Sequence, residues 1–287
     1  GVRFVHAAVR AVQRTDGGFL VETDGGARRH DRVIVATGGA SYPLTGSTGD
    51  GFRFAKELGL SVTPLRPSLV PLETEEGDAA AMQGLSLRNT ALTVTDRESG
   101  KVVYTDFGEM LFTHYGVTGP MILSASAHLR DIRRGRYVLH LNFKPALDDE
   151  TLDARLLADF GKYANRDFAN ALGDLLPQKL IPAVVRRSGI DPQKKVNGIT
   201  RAERQALTAA LRDFTLTVKR ARPLSEAIVT AGGVELSEVS PKTMEAKKIP
   251  GLYFCGEVLD LDAYTGGFNL QIAFSTGYLA GESAAWS

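Results

Sequence analysis

The stretch IPGLYFCGEVLDLDAYTGGFNLQIAFSTGYLAGESAAWS, residues 249–287, decides how the rest of the chain is read. Leu252-Tyr253-Phe254-Cys255 is a short apolar run closed by Gly256, the pattern of a strand buried on both faces. Glu257 follows at the carboxyl end of that strand, where open α/β sheets place their ligands. After a polar loop, Gly266-Gly267 leads into Phe268-Asn269-Leu270, and Leu270, Ala273, Phe274, Gly277, Tyr278 and Gly281 recur at helical spacing. The order is strand, carboxylate, double glycine, helix.

Such an order suits a polar, electron-accepting ring. Glycine lets backbone approach a ligand without Cβ interference. The first turn of a helix offers unpaired N–H groups and a partial positive charge to an electron-rich edge, and a flavin carbonyl edge fits that socket. The small residues Ala273, Ser275, Gly277, Ala280 and Gly281 let the helix lie close to a sheet. A Gly-Gly turn and a last helix that merely close an α/β domain give the same pattern.

Residues 252–260 (LYFCGEVLD) followed by 264–271 (YTGGFNLQ) resemble the C-terminal flavin motif of a bacterial FAD-dependent oxidoreductase family, the BaiN/YhiN-like or aminoacetone oxidase family of FAD-binding enzymes. The resemblance extends to residues 38–51, 108–120 and 230–234. It implies that Glu257 accepts from ribityl hydroxyls, that the Asn269 and Leu270 amides face the pyrimidine edge, and that Gly38 and Gly39 approach the adenosine half. Val9, Thr37, Thr230, Gly232, Gly233, Gly256, Gly266 and Gly267 complete the cofactor-binding set that it implies, with no metal.

The chain opens on strand-like residues 2–12. A second strand at 18–23 and the turn Asp24-Gly25-Gly26 give a hairpin or small meander, and the buried strand 31–39 then ends in Gly38-Gly39. In flavoproteins of the type resembled, a meander and a strand ending in Ala-Thr-Gly lie beside the adenosine and pyrophosphate. A strand–turn–helix with Gly-x-Gly-x-x-Gly belongs before it. Gly46-Ser47-Thr48-Gly49-Asp50-Gly51 follows a loop and has the wrong order. The chain is therefore read as lacking an N-terminal βαβ unit, with FAD binding weakened or absent.

A helix is expected over 51–58, capped by Asp50 or Thr48 and stopped at Gly59. Pro64 and Pro67 mark a change of regime. Strands are expected at 69–73, 85–95, 102–106, 110–113 and 136–143, and short strands of this kind make a sandwich or barrel. Gly119-Pro120 opens a helix over 120–129. The segment 108–120 resembles the family's insert-domain motif, which faces the flavin, so His114 is the candidate proton donor, with Thr113 and Tyr42 as further catalytic candidates.

Leu152, Leu156, Leu157, Phe160 and Tyr163 share a helical face behind Asp148 or Asp149, a second helix is expected near 172–187, and Thr200-Arg201-Ala202-Glu203 is a capping box for a third. Lys194, Lys195, Arg201, Arg204 and Arg212 raise a DNA-binding module as an alternative, but Asp191, Glu203 and Asp213 offset them and no base-reading helix stands out. A strand at 214–220 completes the barrel. The strand in 226–234 then meets Gly232-Gly233 and re-enters the first domain.

With 287 residues, two domains or one domain with an insertion is the natural expectation. The 34 basic and 33 acidic residues give a net charge of +1, so no bulk field favours nucleic acid or membrane. A single cysteine excludes an internal disulfide and fits a reducing compartment, and Cys255 reads as a small buried hydrophobe. No run is long and apolar enough to span a bilayer, so a cytoplasmic location is expected.

The reading is an α/β protein: a FAD/NAD(P)-binding Rossmann-like domain lacking its N-terminal βαβ (1–67 and 226–287), interrupted by a β-barrel-like insert domain (68–225) with a helical subdomain near 148–213. The family implies two-electron flavin chemistry on a small-molecule substrate, either reduction of an enone-type C=C bond with NADH or NADPH, or oxidation of an amine or amino-ketone. No nucleic acid or membrane partner is expected. A flavin-dependent RNA-modifying enzyme or a non-catalytic binding protein is the rival.

Overall fold

The computed structural model describes residues 2–286. The chain divides into two compact units, 1–69 with 223–287 and 70–222.

The first unit opens with a three-stranded antiparallel meander, β1 (Val9–Thr15), β2 (Gly18–Thr23) and β3 (Gly26–His30). Phe19 and Val12 turn inward and are buried. Residues 2–8 form no strand, contrary to the expectation, and leave Val2 and Phe4 exposed. Next comes β4 (Val33–Val35), only three residues long and with Ile34 partly exposed rather than buried throughout. Helix α1 (Asp50–Glu57) buries Phe52, Phe54 and Ala55. Its cap is Gly49, not Asp50 or Thr48, because the Thr48 hydroxyl donates to Asp50 Oδ2 (2.6 Å) and Asp50 in turn takes Arg53 (3.1 Å). Strand β5 (Arg66–Ser68) ends this half.

The second unit is a barrel with a helical cover. Its elements are β6 (Leu72–Thr74), α2 (Asp78–Ala81), β7 (Ser86–Asp96), β8 (Lys101–Phe112), β9 (Gly116–Thr118), α3 (Pro120–His128), β10 (Tyr137–Asn142), α4 (Asp149–Lys162), α5 (Ile181–Ser188), α6 (Arg201–Arg212) and β11 (Phe214–Ala221). The barrel is closed in the order β10-β11-β6-β9-β8-β7. Alternation explains it: Leu92 and Val94 of β7, Leu139 and Leu141 of β10 and Leu216 and Val218 of β11 are buried and share one core. The two strands expected at 102–106 and 110–113 are one, since Gly108 stays in register opposite Thr90. The expected helix over 172–187 is confined to α5, with Pro182 in its first turn and turns before it. Leu157 turns outward, half exposed, while Leu152, Leu156 and Phe160 face in. The capping box is made: Thr200 Oγ1 accepts from Glu203 N (3.3 Å) and Glu203 Oε2 accepts from Thr200 N (2.7 Å).

Returning to the first unit, β12 (Val229–Ala231) pairs antiparallel with β5, and β13 (Leu252–Phe254) pairs parallel with β4, Leu252 beside Val33 and Phe254 beside Val35. Helix α7 (Phe268–Trp286) follows. Its apolar residues do not form one buried stripe. Ala280 is buried, and Ala273 lies near Gly256. Leu270, Phe274 and Tyr278, at 62, 69 and 73% exposure, run along the outside. Among the described residues no helix is long and apolar enough to cross a membrane.

Candidate functional site

Parallel pairing of β4 with β13 places the end of one beside the end of the other, at the edge where such sheets bind ligands. Beyond β13 a single tight turn, residues 256–258, presents Glu257. Gly256 takes φ 76°, a left-handed conformation that favours glycine. Its N–H donates to Thr276 Oγ1 (2.9 Å), tying the turn to α7.

Glu257 is held from one side only. Oε1 accepts from Thr230 N (2.8 Å) and from Ser41 Oγ (3.2 Å). The Ser41 hydroxyl has Ile228 O, 3.5 Å away, as its other acceptor. Oε2 has no partner among the described residues. Glu257 lines a cavity of about 340 Å³ in the first unit, together with Ile228, Leu261, Tyr264, Gly266, Gly267 and the first turn of α7. Asn269 and Leu270 contribute to that lining, and the Asn269 side chain closes the loop before the helix, accepting from Ala263 N and donating to Ala263 O (both 2.8 Å).

Of the residues predicted from sequence, Glu257, Gly266, Gly267, Asn269 and Leu270 share this cavity. Thr230 and Gly39 stand directly behind Glu257, where a Cβ on Gly39 would collide with both the Glu257 carboxylate and the Thr230 hydroxyl. Gly39 is therefore accounted for by packing within the chain. The same holds for Gly232, whose added Cβ would strike Pro64 O, and for Gly233, which faces the backbone of Val258 and Leu259. Gly38, at φ 72°, has Ser47 Oγ as its neighbour, and Thr37 lies against Gly51. Tyr42 is half exposed in a left-handed conformation (φ 50°), and Val9 stands at the open start of β1. None of Val9, Thr37, Gly38 or Tyr42 lines the cavity.

Thr113 and His114 belong to the second unit, in the turn between β8 and β9. The turn is closed by Thr113 N to Gly116 O (2.8 Å) and Gly116 N to Thr113 Oγ1 (3.1 Å). Gly116 is obligatory there, because a Cβ would run into Leu72 O. The exposed His114 ring packs edge-on against Tyr115 at 4.8 Å, and Arg222 lies 4.6 Å over the Tyr115 ring, anchored by buried Glu73 (2.7 Å). Among the described residues no hydrogen-bond partner holds either His114 nitrogen.

Sequence reasoning missed Ser41, Asp260 and Thr63. Asp260 Oδ1 accepts from Gly232 N (3.1 Å) and Oδ2 from Thr63 Oγ1 (2.9 Å), fixing the Gly232-Gly233 turn. Ser41 and Asp260 lie inside the stretches that carry the family resemblance, but their partners lie in distant segments.

A larger groove of about 700 Å³ runs along α4 and α6 in the second unit. Its charged lining is largely paired, Arg212 with Asp149 at 3.0 Å and Asp153 with Arg204 at 2.8 Å, and no glycine-led turn opens on it. Burial pushes the Cys255 thiol upward, which leaves it an apolar filler beside α7.

Parallel strands ending at a half-engaged carboxylate and a glycine-led helix define a Rossmann-like nucleotide-binding unit, here interrupted by a closed barrel. Comparison with known proteins agrees. Residues 2–283 match the family described as HI0933-like protein Rossmann domain. The chain belongs to this family, the flavoprotein-type oxidoreductase family that its glycine and carboxylate motifs resemble. It is 31% identical over 279 residues to 3-dehydro-bile acid delta(4,6)-reductase of Clostridium scindens, covering 96% of this chain and 68% of that protein. It is also 31% identical to the ribosomal RNA dihydrouridine synthases of Escherichia coli, covering 96% of this chain and 66% of that protein, and of Haemophilus influenzae, covering 91% and 62%. The chain thus spans about two thirds of the length of these relatives.

Proposed function

We propose that the chain serves flavin-dependent reduction of a C=C bond conjugated to a carbonyl, with FAD held at the cavity beside Glu257. The observation that carries this is the division of labour on Glu257, which lines the cavity with the opening turn of α7: Oε1 is fixed by Thr230 and Ser41, and Oε2 has no partner among the described residues. That is the chemistry a polyhydroxylated chain joined to an electron-poor ring calls for. Bound flavin supplies two-electron transfer. The protein's share is to hold and orient: Glu257 Oε2 accepts from ribityl hydroxyls, the Asn269 and Leu270 amides offer donors to the pyrimidine edge, and Ile228, Leu261 and Ile272 wall the ring from water. His114 is proposed as the proton donor, with Thr113 and Tyr42 as further catalytic candidates, and Gly38 and Gly39 are proposed to approach the adenosine half.

The named activities of the relatives support reduction over amine oxidation. One relative is named a delta(4,6)-reductase and two are named dihydrouridine synthases, and both names denote reduction of a C=C bond. NADH or NADPH is the proposed donor.

RNA modification is the second reading, favoured by the names of two relatives. Against it, four of the five cations singled out in the helical cover, all but Arg201, are spent internally: Lys194 on Glu203 (2.7 Å), Lys195 on Asp167 (2.7 Å), Arg204 on Asp153 (2.8 Å) and Arg212 on Asp149 (3.0 Å). Paired cations release few counterions on meeting phosphate. A small soluble enone or uracil-like ring is the proposed substrate, in the cytoplasm.

The test is a titration of the purified chain with FAD, followed by anaerobic NADPH-driven reduction of cyclohexenone and of uridine, free and within RNA. Glu257→Gln should weaken FAD binding about tenfold or more, the cost of a hydrogen bond to a charged group. FAD affinity unmoved by that change overturns the assignment. Turnover on RNA alone, retained in a salt-dependent way, selects the second reading.

A further inference from the structure

The geometry points to Thr230 as a positioning residue: its hydroxyl decides which oxygen of Glu257 reaches the cavity. The inference rests on the reading of Glu257 as the ligand for a hydroxylated chain, and adds what keeps that carboxylate available.

Thr230 is completely buried in β12 and touches three segments at once. Its Oγ1 accepts from Ala40 N (2.8 Å) and Ser41 N (3.1 Å), two consecutive amides that converge as they would on an anion. Its own N–H donates to Glu257 Oε1 (2.8 Å). The loop after β4 therefore offers its paired donors to a neutral side-chain oxygen, although a carboxylate lies within reach of the same loop, as the Ser41 hydroxyl contact at 3.2 Å shows. Buried N–H groups do not stay unpaired. Without the Thr230 hydroxyl, the Ala40 and Ser41 amides have one nearby acceptor of higher charge, the Glu257 carboxylate. Capture by those amides would turn Oε2 away from the cavity. Thr230 thus occupies the amides so that Glu257 keeps one oxygen free.

The test compares two probes, riboflavin and lumiflavin, which share the ring but differ in the ribityl hydroxyls. The wild-type chain should prefer riboflavin, and Glu257→Gln should abolish the preference. Thr230→Val should reduce it about tenfold with lumiflavin affinity unchanged, while Thr230→Ser, which keeps the oxygen, should restore it. A general loss of structure would weaken both probes together, and thermal melts of each variant identify that case. Loss of preference in Glu257→Gln with full preference in Thr230→Val overturns the role of Thr230 alone. A preference that survives Glu257→Gln, or no binding of either probe by the wild-type chain up to the probes' solubility limits, overturns both this inference and the reading on which it rests.

Discussion

The Glu257 carboxylate occupies the space that a side chain on Gly39 would need. The two residues come from opposite ends of the chain and meet because β4 and β13 are parallel neighbours. Gly39→Ala should therefore act on the ligand site before it acts on the fold. Its backbone is not in the left-handed region, so the cost is collision, of about 1–3 kcal/mol. We expect a modest drop in melting temperature together with loss of flavin affinity, measured by fluorescence titration. Undiminished affinity would mean that Glu257 has no part in binding.

Thr74 makes a separate prediction about the barrel. It is 8% exposed on β6, and its hydroxyl has no hydrogen-bond partner among the described residues. A buried hydroxyl without a partner costs free energy that valine, of the same shape, does not incur. Thr74→Val should stabilise the chain by about 1 kcal/mol in urea unfolding. Destabilisation would show that the hydroxyl is bonded in solution.

At α6, the Lys194 ammonium, and after it the Thr200 N–H and hydroxyl, hold Glu203 down to about 2 from an ordinary 4.5. The folded state thus favours the charged form. Its contribution is complete above about pH 4.5 and fades as the pH falls toward 2. Thermal melts in that window should show wild type losing stability faster than Glu203→Gln, the two converging at the acid end. Thr200→Ala, which removes the cap at neutral pH, should cost about 1 kcal/mol.

Leu270, Phe274 and Tyr278 lie at successive four-residue steps on the outer side of α7. A contiguous apolar ridge of this kind drives association. Sedimentation of the isolated chain should show concentration-dependent self-association that Phe274→Glu reduces, with the far-UV circular dichroism unchanged. Equal association in the variant would place the sticky surface elsewhere.

Much of the barrel was legible because its residues obey local rules. Leu92 and Val94 alternate with threonines, Pro120 opens α3, and Thr200 with Glu203 caps α6. Local rules also misled where tertiary packing overrode them. Gly108 looked like a break yet continues β8, and Leu157 keeps helical spacing with its neighbours yet faces solvent. At the candidate site, the Glu257, Gly266 and Asn269 positions could be read as one motif because they are adjacent in sequence. Ser41, Thr63, Thr230 and Asp260 make their key contacts across long separations, and a single sequence carries no signal for such partners. The double glycines were read as openings for a ligand. Gly39, Gly232 and Gly233 also accommodate the chain's own atoms, a requirement that no single sequence displays.

Ser41 and Glu257 bond across 216 positions, with the whole barrel threaded between them. During synthesis the loop that carries Ser41 must wait for its counterpart until the 216 residues up to Glu257 have been added. A premature stop between β11 and β13 would keep every strand of the barrel and remove Glu257, and with it the carboxylate proposed to hold the ligand.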